Sequence, residues 1–422
     1  MTAGLLGDYA GAFEPDFSLD RLAPPTLARV GRELMLFAHF HDRGLMPLVG
    51  ARFGRQHMTA LACDEWMGAS PVYNARARRL LGIRGDGVSA ILKSLQVDPG
   101  FAHRYMDVGY ELVDETLGYF WLRFCGAYQD VHTISRGAEP AIRQLCHEME
   151  DPTFDATAIA VNPRARVRPE HRPPLAPGHT GPVCRWRVFL DDSAAPYPPL
   201  PVREKVAASR AARFRFAELP RELGPGLSDY AGAFLPDFTL ERLARPVLAR
   251  LCREWMLDVH LLTRAAAESL RSRWGADVAR ELAREQWAAL APVYVPRLRR
   301  ALDQKGDDMA AILKTLQLDP ALPHEYVRCG AVLESPLRGR FWIEPCEAFA
   351  PGEPEGWLRL LLDGERPGFD AVVAAVNPRA RCIPTGELAW RIEIDPDAAP
   401  RPEAPMANAV RVSNVARFEL EP

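Results

Sequence analysis

The segment Asp8-Tyr9-Ala10-Gly11-Ala12-Phe13 returns as Asp229-Tyr230-Ala231-Gly232-Ala233-Phe234, so the chain has to accommodate the same module twice. The register holds from Pro71-Val72-Tyr73 against Pro292-Val293-Tyr294, through Ile91-Leu92-Lys93 against Ile312-Leu313-Lys314, to Cys125 against Cys346. Two short deletions in the second copy then shift it. Asn162-Pro163-Arg164-Ala165-Arg166 answers to Asn377-Pro378-Arg379-Ala380-Arg381, and Ala212-Arg213-Phe214 to Ala416-Arg417-Phe418. A repeat of roughly 200 residues is domain-sized, far longer than the unit of a solenoid. The expectation is two homologous domains, residues 1–220 and 226–422, packed as an intrachain pseudo-dimer.

Hydrophobic residues make up 48% of the 422, enough for each half to bury a core of its own. A formal net charge of −3 offers no field attractive to phosphate, so neither nucleic acid nor an anionic membrane is expected as a partner. No apolar run approaches the roughly 18 residues that cross a bilayer, and no basic stretch precedes an apolar one at the N-terminus. A cytoplasmic location is therefore expected, with the eight cysteines present as thiols. High Ala, Arg and Pro usage suits a GC-rich bacterial genome.

Within each half the pattern changes from helical to extended. Leu27, Val30, Leu34, Phe37 and Ala38 follow Pro24-Pro25 at the spacing of an amphipathic helix, which periodicity carries to about Leu48. A second helix is expected from about Gln56 to Leu81, and a third between Asp86, as N-cap, and Asp98-Pro99. Tyr105 to Val113 and Tyr119 to Phe124 read as a β-hairpin. Glu139 to Glu148 and Asp155 to Val161 look helical, and Cys184 to Leu190 alternates as a strand. Proline-rich residues 173–182 form a loop and residues 218–226 a linker. Each half is thus an α+β unit, a helical region followed by a small antiparallel sheet with helices.

Three thiols of the first half carry the clearest chemical signal: Cys125 at the end of the hairpin, Cys146 beside His147, and Cys184 opening the last strand. Thiolates and imidazoles are nucleophiles and soft metal ligands. In register with Cys146, His147 and Cys184 the second half has Leu361, Leu362 and Leu388. Either the first half holds a reactive or metal site and the second is degenerate or supporting, or Cys146 and Cys184 fill space in a core. His103, matched by His324, is a candidate acid/base, as is His147. His39 and Glu33 recur as His260 and Glu254, but six residues apart on a helix they point different ways, which favours a core or interface role. Arg76, Arg78 and Arg79 recur as Arg297, Arg299 and Arg300 near a helix C-terminus, either complementing its dipole or clamping a carboxylate. P-loop, HExxH, dinucleotide and nucleophile-elbow motifs are missing.

Gly7-Asp8-Tyr9 to Phe13, Ile91-Leu92-Lys93-Ser94-Leu95-Gln96, and the succession Arg123-Phe124-Cys125, Leu145-Cys146-His147, Asn162-Pro163 and Cys184-Arg185-Trp186 resemble the L-2-amino-thiazoline-4-carboxylic acid hydrolase-like family and its bacterial relatives. The resemblance spans nearly all of each half and implies an enzyme acting on a small nitrogen- or sulfur-containing metabolite by hydrolysis or a related ring-opening, ring-closing or elimination step, and specialised biosynthesis is the expected setting. Its substrate would be a small molecule; Cys125 is then expected as nucleophile or metal ligand, Cys146 and Cys184 as its partners, and His103 or His147 as the acid/base. The layout is also similar to that of ligand-sensing vinyl-reductase-type domains. That likeness implies a non-catalytic protein in which Cys125, Cys146 and Cys184 hold zinc or iron.

Overall fold

The computed structural model describes residues 4–193, 195, 197–198, 200–350 and 356–420; the outer ends of the two repeats, 1–3 and 421–422, lie outside the described residues. Pro24 and Pro25 occupy the first positions of helix α1 (Pro24–Phe53), where a missing N–H costs nothing. The five apolar residues that define its stripe are all buried. Gly54, at φ +93°, ends α1 and at once begins α2 (Arg55–Leu80), so the two helices form a hairpin on a single-residue hinge. The first helix therefore runs well past Leu48. Helix α3 (Val88–Leu95) stops ahead of Asp98-Pro99 as expected, but Asp86 does not cap it. Gly87 is its N-cap, and the first N–H, of Val88, is taken by the carbonyl of Glu115 at the hairpin turn (2.9 Å). A tertiary contact takes the place of a side-chain cap.

The hairpin forms as strands β1 (Met106–Asp114) and β2 (Leu117–Cys125). Helix α4 (Gly126–Ile134), unexpected from the pattern, follows directly. Then come α5 (Glu139–Arg143), a π-helical turn over Gln144–Met149, and α6 (Glu150–Ile159). Strands β3 (Ala165–His171) and β4 (Cys184–Leu190) complete an antiparallel sheet in the order β1-β2-β4-β3. β3 escaped the periodicity because charged residues and Pro169 interrupt it, which an edge strand tolerates. Short helices α7 (Pro201–Ala207) and α8 (Arg210–Arg213) close the repeat.

The second repeat runs through α9 (Arg245–Trp274), α10 (Ala276–Ala301), α11 (Met309–Gln317), β5 (Cys329–Ser335) and β6 (Arg338–Ile343). It continues with α12 (Trp357–Leu362), α13 (Pro367–Val376), β7 (Ala380–Gly386), β8 (Ala389–Ile394), α14 (Ala407–Arg411) and α15 (Asn414–Arg417). Its sheet order, β5-β6-β8-β7, repeats that of the first. The protein is α+β with two four-stranded antiparallel sheets. In both, a tryptophan lies over the glycine opposite it: a Cβ on Gly109 would come within 2.3 Å of the Trp121 ring, and one on Gly330 within 2.2 Å of Trp342. Gly109→Ala is expected to lower stability by about 1–3 kcal/mol through this overlap. A urea melt indistinguishable from wild type would mean that the ring swings aside at no cost.

The repeats do not bury separate cores. Helix α1 packs against α9 and α10, and α2 against α9, so residues of both repeats form one continuous hydrophobic cluster. Their two most recognisable motifs are each other's partners. Lys93 donates to the carbonyls of Tyr230 (3.1 Å) and Gly232, while Tyr230 Oη donates to Gln96 Oε1 (2.8 Å) and Gln96 Nε2 to the Leu235 carbonyl (2.7 Å). In mirror image, Lys314 donates to the carbonyls of Tyr9 (3.1 Å) and Gly11, and Tyr9 Oη donates to Gln317 Oε1 (3.0 Å). Each N-terminal arm, the segment around Tyr9 in one repeat and Tyr230 in the other, is thus clasped by the opposite repeat. Glu33 and Glu254 belong to the same interface, pairing with Arg297 and Arg76 respectively. Those arginines are committed across the repeats and do not merely answer a helix dipole.

Candidate functional site

Cys125 ends β2 and caps α4, its Sγ accepting from the Tyr128 amide at 3.3 Å. Cys184 faces Leu122 across the β2–β4 ladder, and Cys146 sits in the π-helical turn. All three are buried and all eight cysteines are free. Burial pushes the Cys125 thiol up to about 12 and those of Cys146 and Cys184 well above the usual range, and the charge of Glu150 adds to each. They are protonated at neutral pH and lack the depressed pKa of a nucleophile. His103 Nε2 lies 2.7 Å from the carbonyl oxygen of Gln96 and His147 Nε2 2.8 Å from that of Pro173. Among the described residues no hydrogen bond joins either imidazole to a thiol. His103 instead lines an open groove of about 1060 Å³ along β1, bounded on its other side by Pro236, Asp237 and Phe238 of the second repeat.

His39 is buried against Tyr105, ring centres 4.9 Å apart, and burial together with the charge of Arg43 pushes it down to about 4. Tyr105 Oη (2.7 Å) and Arg43 Nε (2.9 Å) both donate to Asp130, which also accepts the Asn414 amide from the second repeat. Asp130 is thereby fully engaged in joining α1, α4 and α15.

A different group comes together on the α1–α2 hairpin. His41 and Asp42 stand about as far before the Gly54 hinge as Glu65 stands after it, which sets them at the same level of the two helices. His41 Nδ1 is 2.8 Å from Glu65 Oε1, and Trp66 Nε1 donates to the Asp42 carboxylate at 3.2 and 3.3 Å. One ligand atom from each of His41, Asp42 and Glu65 lies within 4.8 Å of the other two; among the described residues no other three His, Cys, Asp or Glu side chains meet this condition. Cys125, Cys146 and Cys184 therefore do not share one ligand sphere of that size.

Two members of this group are sealed from water, and Asp42 is half-buried. His41 and Glu65 have no exposed side-chain surface, and His41 Nε2 and Glu65 Oε2 have no hydrogen-bond partner. Burial pushes His41 down to about 4, Asp42 up to about 8 with the Glu65 charge adding, and Glu65 well above the carboxylate range. In the second repeat the corresponding residues are Leu262, Thr263 and Gln286. Gln286 closes the first repeat's group from outside, donating to the His41 carbonyl (2.9 Å) and accepting from Trp357 Nε1 (3.1 Å). The Trp357 ring centre is 5.4 Å from that of His41. One copy of this helical position builds the group and the other covers it.

Comparison with models of known families matches none of them, and searches of curated proteins and of solved structures likewise give no match.

Proposed function

We propose that this chain is a divalent-metal-binding protein with one site, in the first repeat, held by His41, Asp42 and Glu65. The observation that carries this is the convergence of an imidazole and two carboxylates with two orphaned buried atoms, in a place where the second repeat has apolar and neutral residues. An imidazole nitrogen with two carboxylate oxygens suits Mn(II), Fe(II) or Zn(II). A cation there would satisfy carboxylates whose charge burial otherwise disfavours. His41 and Glu65 present no surface that a substrate can touch and only Asp42 is partly exposed, which favours a binding or sensing role over small-ring hydrolysis.

The test transplants the second repeat's own residues. Wild type, loaded with Mn(II), Fe(II) or Zn(II) and freed of excess metal by gel filtration, is expected to retain one equivalent of at least one of them by elemental analysis. The triple variant His41→Leu, Asp42→Thr, Glu65→Gln is expected to retain less than a tenth of that while keeping the wild-type circular dichroism. Metal-free wild type after all three loadings, or equal retention by the folded variant, would sink the proposal.

A further inference from the structure

The C-terminal tails of the two repeats meet equivalent helix pairs but fill them differently. At the first tail, the Phe216 ring lies under the guanidinium groups of Arg76 (5.6 Å) and Arg250 (5.1 Å), and Leu80 is partly buried on α2. In register, the second tail has Leu420 for Phe216, and α10 has Ala301 for Leu80. Both residues are smaller than their counterparts, and both line one cavity. A cavity of about 230 Å³ opens there, with Arg29, Arg32, Arg297 and Arg300 in its wall beside Phe418 and Leu420.

Four guanidinium groups stand in the cavity wall with the carboxylates of Glu33 and Glu419, and Glu241 reaches Arg32 from outside the cavity. Glu33 is held by Arg297 through two bonds (2.9 and 3.0 Å), and Arg32 pairs with Glu241. Arg300 is exposed on its helix, and among the described residues no hydrogen bond or ion pair engages its guanidinium. The guanidinium fork favours planar or tetrahedral oxyanions, and the Phe418 and Leu420 side chains give an apolar body something to pack against.

We propose that this cavity is a binding site for a small organic acid, its carboxylate or other oxyanion held by Arg300 and its neighbours and its apolar part seated against Phe418 and Leu420. The site is separate from the His41 group and stands or falls independently of it.

The probes are benzoate, which has both parts, and inorganic phosphate, which has only the oxyanion, each titrated calorimetrically into the full chain at low and at 0.5 M salt. Benzoate is expected to bind one per chain, more weakly at high salt. Restoring the first repeat's fill with Ala301→Leu and Leu420→Phe is expected to weaken it at least tenfold, and Arg300→Ala severalfold, with both variants keeping the wild-type melting temperature within a few degrees. Absence of saturable binding to wild type, or unchanged affinity in the filled variant, would overturn the site. Phosphate binding without benzoate binding, lost in the filled variant, would overturn its assignment to an organic acid.

Discussion

Arg76→Ala is expected to cost about 3–5 kcal/mol of stability, because it strands a buried carboxylate between the two repeats. Arg76 Nε and Nη2 grip Glu254 at 2.7 and 3.2 Å, and Nη1 donates to the carbonyls of Ala212 (3.0 Å) and Phe214 (2.7 Å). The side chains are only 4% and 9% exposed, so water cannot replace what is removed. The neighbouring Asp258 is itself buried, and that burial, with the Glu254 charge adding, holds it well above the carboxylate range. The double variant Arg76→Met, Glu254→Leu is expected to recover much of the loss, since it removes the charge along with its partner. Urea denaturation of the two variants checks both statements. A loss below about 1 kcal/mol in the single variant, the level of a surface pair, would show that the interface opens to solvent.

Asp319→Asn is expected to stabilise the protein above pH 6 and to do nothing below pH 4. The reason lies in what the second repeat lacks. In the first, Asp98 accepts from Tyr73 (3.1 Å), Asn74 (2.7 Å), Thr157 (3.3 Å) and the Gly100 amide (2.7 Å). In the second, Val295 and Val372 stand in place of Asn74 and Thr157. Asp319 keeps Tyr294 (2.8 Å) and the Ala321 amide (2.9 Å), but its Oδ2 is buried without a partner. Burial consequently raises it to about 6 from 3.8. A carboxyl raised in this way holds its proton more tightly folded than unfolded. Its contribution is whole below pH 3.8, declines as pH rises, and is lost above pH 6. The difference corresponds to about 3 kcal/mol at neutral pH, removed when the neutral amide replaces the acid. Thermal melts of both proteins from pH 4 to 8 should diverge over that interval. Parallel curves would mean that Asp319 is not protonated in the fold.

Much of the architecture was legible because it depends on local pattern. The proline-led start of α1, the hairpin of β1 and β2, and the strand at Cys184 follow from periodicity and turn residues. What periodicity misjudged depends on contacts distant in sequence: the cap of α3 comes from Glu115, and the edge strand β3 is defined only by its neighbour. The His41 group was hidden for a related reason. With α1 ended near Leu48, the hinge at Gly54 goes unnoticed, and nothing then says that Glu65 returns to the level of His41 and Asp42. The replacement of these residues by Leu262, Thr263 and Gln286 was the available signal, of the same kind as the cysteine-to-leucine changes. The thiols drew attention through their chemistry, but burial raises the free energy of the very form that would react.

The clasp between each arm and the opposite lysine also governs the order in which this chain can mature. Lys93 and Gln96 are made early, yet their partners at Tyr230, Gly232 and Leu235 come more than a hundred residues later, and α1 waits longer still for α9 and α10. During synthesis the first repeat emerges with a face of its core uncovered and its arm site vacant. Long-range closure of this kind is slow and leaves apolar surface exposed meanwhile. Translation stalled between the repeats would therefore leave a sticky nascent chain, a substrate for chaperones and not a finished half-protein.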